Sequence, residues 1–288
     1  MERPQPNVPG VQHSFVDARG LRMHVAEAGE GEPIVLVHGW PQHWYVWRHL
    51  IPRLAQSYRV ICPDLRGHGW SDAPPDGYEK ETFAEDLLGL LDALGLERVR
   101  LVGHDWGGLA GFLLCLRASE RVERYVVMNT GHPWIEMQLR QVPQLYRLWY
   151  QALMASPLIG RLAVRPLVQA IYRIGVNHER VTPQEWGHYV DQFSEPERAA
   201  ATVQIYRTFL TREMPAIARG KYRDQRLTVP TLYLHGEHDP VVSPENFEPV
   251  KRHAEDFRLE IVPGAGHFVA EEAPDVVGAR VLGFMSSR

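Results

Sequence analysis

The sequence predicts an α/β protein, a mostly parallel sheet flanked by helices and interrupted by an inserted helical cap. Two observations carry this prediction. Short apolar, β-branched segments ending in glycine or aspartate alternate with amphipathic stretches over residues 1–133, and the alternation then gives way to a helical run before two more strand signals close the chain. The expected strands are, in order, Leu21–Val25, Pro33–Val37, Arg59–Pro63, Arg98–Val102 and Arg124–Met128. Between them, Trp44–Leu54 and Glu81–Leu94 space their apolar residues three and four apart, as one buried helical face requires. Strands alternating with helices run parallel and are covered on both faces.

From Trp134 to Arg226 the pattern is helical, with breaks expected at Pro143, Pro157, Pro166, Pro183, Pro196 and Pro215. The strand signal returns at Thr231–His235 and Arg258–Val262, and Asp275–Met285 supplies a last amphipathic helix. The expected division is a core of residues 1–133 and 227–288 around a cap of residues 134–226. No internal repeat or low-complexity tract points to another architecture.

Composition narrows the function classes. With 44% hydrophobic and 23% charged residues over 288 positions, the chain can bury a large core, and no apolar run approaches the roughly 20 residues of a membrane span. The charges of Met1–Pro6 precede no apolar stretch, so a secretory signal is not expected and a cytoplasmic location is. Cys62 and Cys115 lie in apolar segments and are expected to be buried thiols. A net charge of −4 and a pI of 6.4 give no reason to bind nucleic acid or anionic lipid, and they are compatible with a homodimer. The arginines between Arg140 and Arg226 are expected on a solvated helix face.

The segment Arg98–Leu109 carries the chemistry. A strand runs into Gly103, His104, Asp105, Trp106, Gly107 and Gly108 and then into a helix, with small residues two before and two after Asp105. Such an elbow aims its central side chain into a pocket at the strand's carboxyl end; the plainer reading is a turn with an N-capping aspartate. A carboxylate, ionised at neutral pH because free aspartate has a pKa of about 3.9, can displace at a saturated carbon. It forms an alkyl ester whose carbonyl belongs to the enzyme, and histidine-activated water can attack that carbonyl. His38, Gly39 and Trp40 follow the second strand, so the backbone N–H groups of Trp40 and Trp106 are expected to form an oxyanion hole. Asp239 follows a later strand, and His267 lies in a glycine-rich loop after the last, giving the order nucleophile, acid, base. The two glycines before it, Gly264 and Gly266, let the loop approach the site closely and favour His267 among 14 histidines.

The motifs HGWP at His38–Pro41, DLRGHGWSD at Asp64–Asp72, GHDWGG at Gly103–Gly108, HGEHDPVVSP at His235–Pro244 and GAGH at Gly264–His267 resemble the α/β-hydrolase superfamily over nearly the whole chain. More narrowly, they resemble its epoxide hydrolases and haloalkane dehalogenases, which share an aspartate nucleophile. The resemblance to epoxide hydrolases implies two lid tyrosines that donate to the epoxide oxygen. Tyr150, followed by Gln151, and Tyr206, followed by Arg207, match those positions, with Tyr146, Tyr172 and Tyr189 as substitutes. Phenols suit the task because ring opening leaves an alkoxide that needs a proton donor. A substrate-binding set of Trp40, Trp106, Trp149, Gln151 and Phe268 predicts hydrophobic epoxides, while Trp44 and Trp134 are at least as well explained by core packing. No metal or organic cofactor is required. Two other readings stand beside this one. Dehalogenation is suggested by Trp106, a halide-binding position in that family, but Trp40 occupies the place where many dehalogenases carry a halide-binding asparagine. A non-catalytic binding protein of the same fold is opposed by the intact nucleophile, acid and base.

Overall fold

The central strands form one sheet because their sequences bury both faces. In a computed structural model, which describes residues 3–135, 149–176 and 180–287, the strands are β1 (Gln12–Ala18), β2 (Leu21–Ala28), β3 (Glu32–Val37), β4 (Tyr58–Pro63), β5 (Val99–His104), β6 (Val122–Met128), β7 (Thr231–Gly236) and β8 (Phe257–Val262). Their spatial order is β1-β2-β4-β3-β5-β6-β7-β8. β2 runs antiparallel to both its neighbours and all other pairs are parallel. The central strands are near-continuous apolar runs, as β7 shows by being buried at every position, which is what helices on both faces demand. β1 is the strand the sequence did not announce: QHSFVDA is mostly exposed, and its pairing with β2, not its own hydrophobicity, makes it a strand.

The helices are α1 (Ile51–Leu54), α2 (Lys80–Ala93), α3 (Asp105–Arg117), α4 (Trp149–Met154), α5 (Ile159–Gly175), α6 (Pro183–Asp191), α7 (Pro196–Thr208), α8 (Met214–Ala218), α9 (Glu248–His253), α10 (Val269–Glu272) and α11 (Pro274–Ser286). The helix expected over Trp44–Leu54 is instead a 3₁₀ turn, Trp44–Trp47, followed by the short α1. The Trp44 N–H is drawn to Asp64 Oδ1 at 2.8 Å, and Pro52 fits only the first turn of a new helix. All five helices α4–α8 fall between β6 and β7.

Proline breaks behave unevenly there. Pro183 and Pro196 start α6 and α7, and Pro157 separates α4 from α5. Pro166, expected as a break, lies inside α5. The partner it denies a hydrogen bond is the carbonyl of Leu162, a residue 83% exposed, so water can satisfy that carbonyl. At Pro215 the helix also runs on: a π-helical turn, Phe209–Glu213, links α7 to α8. Among the described residues the arginines of this region are exposed except Arg198, which is buried and donates to the carbonyls of His68 and Ser71. Arg140, Pro143 and Tyr146 lie outside the described residues. Cys62 and Cys115 are buried free thiols, both pushed up by burial. Among the described residues no helix is long and apolar enough to cross a membrane.

Candidate active site

Register brings five strand ends level. Val37 pairs with Gly103, His104 with Met128, Met128 with Leu234, and Gly236 with Val262. The residues that follow these ends, Trp40, Asp105, Asn129, Asp239 and His267, therefore meet along one edge of the sheet, the usual place for a site in such a fold.

Asp105 is the first residue of α3 and has φ = 47°, a left-handed conformation that costs a non-glycine residue about 1–3 kcal/mol. Close packing holds it there. A Cβ on Gly107 would run into the carbonyls of Val37 and His38, and one on Gly39 into the Asp105 carboxylate itself. The Trp40 N–H donates to Asp105 Oδ2 at 2.9 Å, and the Trp106 N–H, at the positive end of α3, also bonds this carboxylate. Burial pushes the Asp105 carboxyl up, while His267 and these two N–H groups pull it down.

His267 Nε2 stands 3.8 Å from Asp105 Oδ1, and His267 Nδ1 lies 3.2 Å from each oxygen of Asp239. Burial opposes charge on the imidazole, but the charge and hydrogen bond of Asp239, with the charge of Asp105 behind them, lift His267 to about 9. Asp239 is held down to about 2: burial works against it, and His267 leads the groups that overcome burial. Oδ1 of Asp239 also accepts from the Val241 N–H at 2.7 Å.

Two supports were not legible from the motifs. Asn129, itself at φ = 42°, donates to Asp239 Oδ2 at 2.7 Å and to the Gly266 carbonyl at 3.3 Å. Glu272 accepts from the N–H groups of Gly266 and Phe268, both at 3.0 Å, and so grips the loop on either side of His267. The position of Asn129 directly after a strand end was a signal for the first; nothing local marked the second.

The inserted helices bring in the phenols. Tyr206 on α7 meets the rings of Trp40 at 5.2 Å, Trp106 at 5.8 Å and Tyr150 at 6.0 Å, each near edge-on. Tyr150 on α4 stacks on Trp40 at 6.4 Å. Burial pushes both phenols up; the Asp105 charge adds to it at Tyr150, and at Tyr206 the neighbouring Tyr150 adds to it ahead of Asp105. Gln151 is buried beside Tyr150. The Trp40 indole N–H is spent on Thr202 Oγ1 at 3.1 Å, which joins the turn after β3 to α7.

One expected placement differs. Trp149 is 60% exposed and is not brought to the cluster, because α4 turns Gln151 and Met154 inward instead. Phe268 adjoins His267 at 5.3 Å but also stacks on Tyr172 at 4.8 Å, so packing accounts for its burial. The substitutes Tyr172 and Tyr189 stack on each other, and the Tyr189 hydroxyl donates to Glu271 at 2.8 Å. Trp44 is core, and Trp134 donates to the Tyr222 carbonyl at 2.9 Å.

Comparison with known proteins agrees with this geometry. A family model described as alpha/beta hydrolase fold matches residues 32–274. Epoxide hydrolase 4 of Mus musculus is 32% identical, over 95% of this chain and 79% of its own. The soluble epoxide hydrolase of Corynebacterium sp. strain C12 is 30% identical, over 96% of this chain and 98% of its own. The solved structure of the epoxide hydrolase CorEH without ligand superposes with a TM-score of 0.84 at 30% identity, covering 96% of this chain and 99% of that one. With a glycine-framed elbow, an acid and a histidine at level strand ends, and a family match across residues 32–274, the chain belongs to the alpha/beta hydrolase fold family.

Proposed function

We propose that this hydrolase converts hydrophobic epoxides to vicinal diols through an ester on Asp105. One observation carries the reading: Asp105 presents one oxygen to the Trp40 N–H and the other toward His267, while Tyr150 and Tyr206 both pack on the ring of the same Trp40. With Oδ2 held, Oδ1 attacks an oxirane carbon, the carbon–oxygen bond of the ring breaks, and a phenol protonates the departing alkoxide. Esterification removes the negative charge of Asp105, one of the influences that keep His267 protonated, and the imidazolium gives up its proton to restore the phenol that ring opening left as a phenolate. Histidine can then take a proton from water, whose oxygen adds to the ester carbonyl carbon. The Trp40 and Trp106 N–H groups stabilise the oxyanion; as it collapses the imidazolium protonates the departing alkoxide, and the acid formed on Asp105 returns its proton to His267, restoring the carboxylate.

The helices of residues 134–226 act in this reading as a cap over a core of residues 1–133 and 227–288. The substrate is a small molecule met in the cytoplasm, nucleic acid has no part, and a homodimer is compatible with the chemistry. Commitment of the Trp40 indole N–H to Thr202 favours epoxide over halide chemistry, because it leaves this position without a side-chain donor for a halide. The decisive experiment replaces His267 with Gln and exposes the protein to styrene oxide. The intact chain should gain the substrate's mass on Asp105, and single turnover of the parent in heavy-oxygen water should label that side chain. Halide release from chloro- or bromoalkanes without diol formation would overturn the reading, as would an Asp105 that never gains mass or label.

A further inference from the structure

Lys80 is a charged residue that no part of this mechanism uses, and its side chain is fully buried. It is the first residue of α2, a helix whose own N-cap supplies no side-chain hydrogen bond. Glu213, at the end of the π-helical turn, fills that place from the cap. Its Oε1 accepts from the Lys80 N–H at 2.7 Å and its Oε2 from Lys80 Nζ at 2.7 Å, so one carboxylate binds both the helix start and the ammonium. The remaining donors of Nζ reach the Tyr78 carbonyl at 3.1 Å and the Ile205 carbonyl at 3.4 Å. Ile205 immediately precedes Tyr206, where α7 is about to widen into the π turn. The same ammonium lies 4.6 Å from the centre of the Trp106 ring, the indole that meets Tyr206.

We propose that the Lys80–Glu213 pair is a positioning device for ring opening: it fixes the Tyr206 segment of the cap to α2 and to the Trp106 indole next to the nucleophile. The inference rests on the proposed epoxide chemistry. Its effect falls on one half-reaction, because the groups needed for ester hydrolysis are held by other means. Asn129 and Glu272 fix the acid and base, and the Trp106 N–H is set by α3 itself. Loss of the pair leaves those supports in place and loosens Tyr206.

The test is rapid-quench mass spectrometry with styrene oxide, following ester formation on Asp105 and its decay separately. Lys80→Met should slow ester formation at least tenfold and leave decay within about twofold of the parent. Lys80→Met/Glu213→Gln, which removes both charges and so leaves neither unpaired, should show the same split. Glu213→Gln alone keeps two carbonyl acceptors for Lys80 and a side-chain oxygen for the helix start. It should slow ester formation severalfold, and it decides the question if the methionine variants do not fold. Unchanged ester formation, or equal slowing of both steps, would overturn the inference while the parent still forms its ester. A parent that forms no ester would overturn the proposed function, and this inference with it.

Discussion

The two sides of the site are built from different kinds of contact. On the sheet side, Asp105, Asp239 and His267 sit directly after paired strand ends, and backbone N–H groups or short polar side chains fix each of them. On the cap side, Tyr150 and Tyr206 are placed by aromatic packing on Trp40 and Trp106 and by helices anchored to the core through scattered polar contacts. Directional backbone contacts hold a charge to fractions of an ångström, whereas packed rings tolerate a shift. In the proposed mechanism the sheet side therefore sets whether the reaction occurs, and the cap sets how fast the ring opens and on which epoxide.

The largest effect expected from this contrast is on the sheet side. Asp105→Ala should lower the diol-forming rate by about 10⁴-fold or more, as removal of a nucleophile does elsewhere. It should not lower the melting temperature, since it also deletes a buried carboxylate whose burial opposes ionisation. A residual rate within about a hundredfold of the parent, measured as diol formed from styrene oxide, would mean that the sheet side does not carry the covalent step.

On the cap side the expected loss is smaller. Removing one hydrogen-bond donor to a developing oxyanion costs about 10²–10³-fold, and two donors to one oxygen overlap. Tyr150→Phe and Tyr206→Phe should each slow ester formation by about 10²-fold, while the double variant loses less than the product of the two. Ester decay should be unaffected in all three. Equal slowing of both steps in rapid-quench measurements would erase the proposed distinction between the two sides.

The same contrast explains what the sequence revealed. Asp105, Asp239 and His267 were legible because each follows a strand in a glycine-marked turn, a signal local in the chain. Tyr150 and Tyr206 were reached only through family resemblance, since an aromatic on an amphipathic helix looks the same whether it faces a substrate or a core. Trp149 shows the cost: it shares the segment with Tyr150 yet points outward. Glu272, Lys80 and Glu213 could not be read at all. The Lys80–Glu213 contact spans 133 residues, and only the folded packing of cap on core brings it about. β1 was missed for a related reason, because its strand character comes from β2. Pro166 was over-read, because a proline ends a helix only where the carbonyl it abandons has no other partner.

The smallest effect expected concerns stability, and it tests whether the sheet side is held by charge. The folded state raises His267 from 6.5 to about 9. A group raised on folding contributes stability that is fully present below its unfolded pKa and is lost as the pH climbs through the folded one. The contribution of His267 should thus be complete below pH 6.5 and fade by about pH 9, a loss on the order of 3 kcal/mol if the shift is converted at 1.36 kcal/mol per unit. Thermal melts between pH 6 and 10 should show the parent weakening across this window and His267→Gln weakening less, because glutamine does not titrate. If the two curves run parallel, the imidazolium between Asp239 and Asp105 adds nothing to the fold, and backbone geometry alone holds that side of the site.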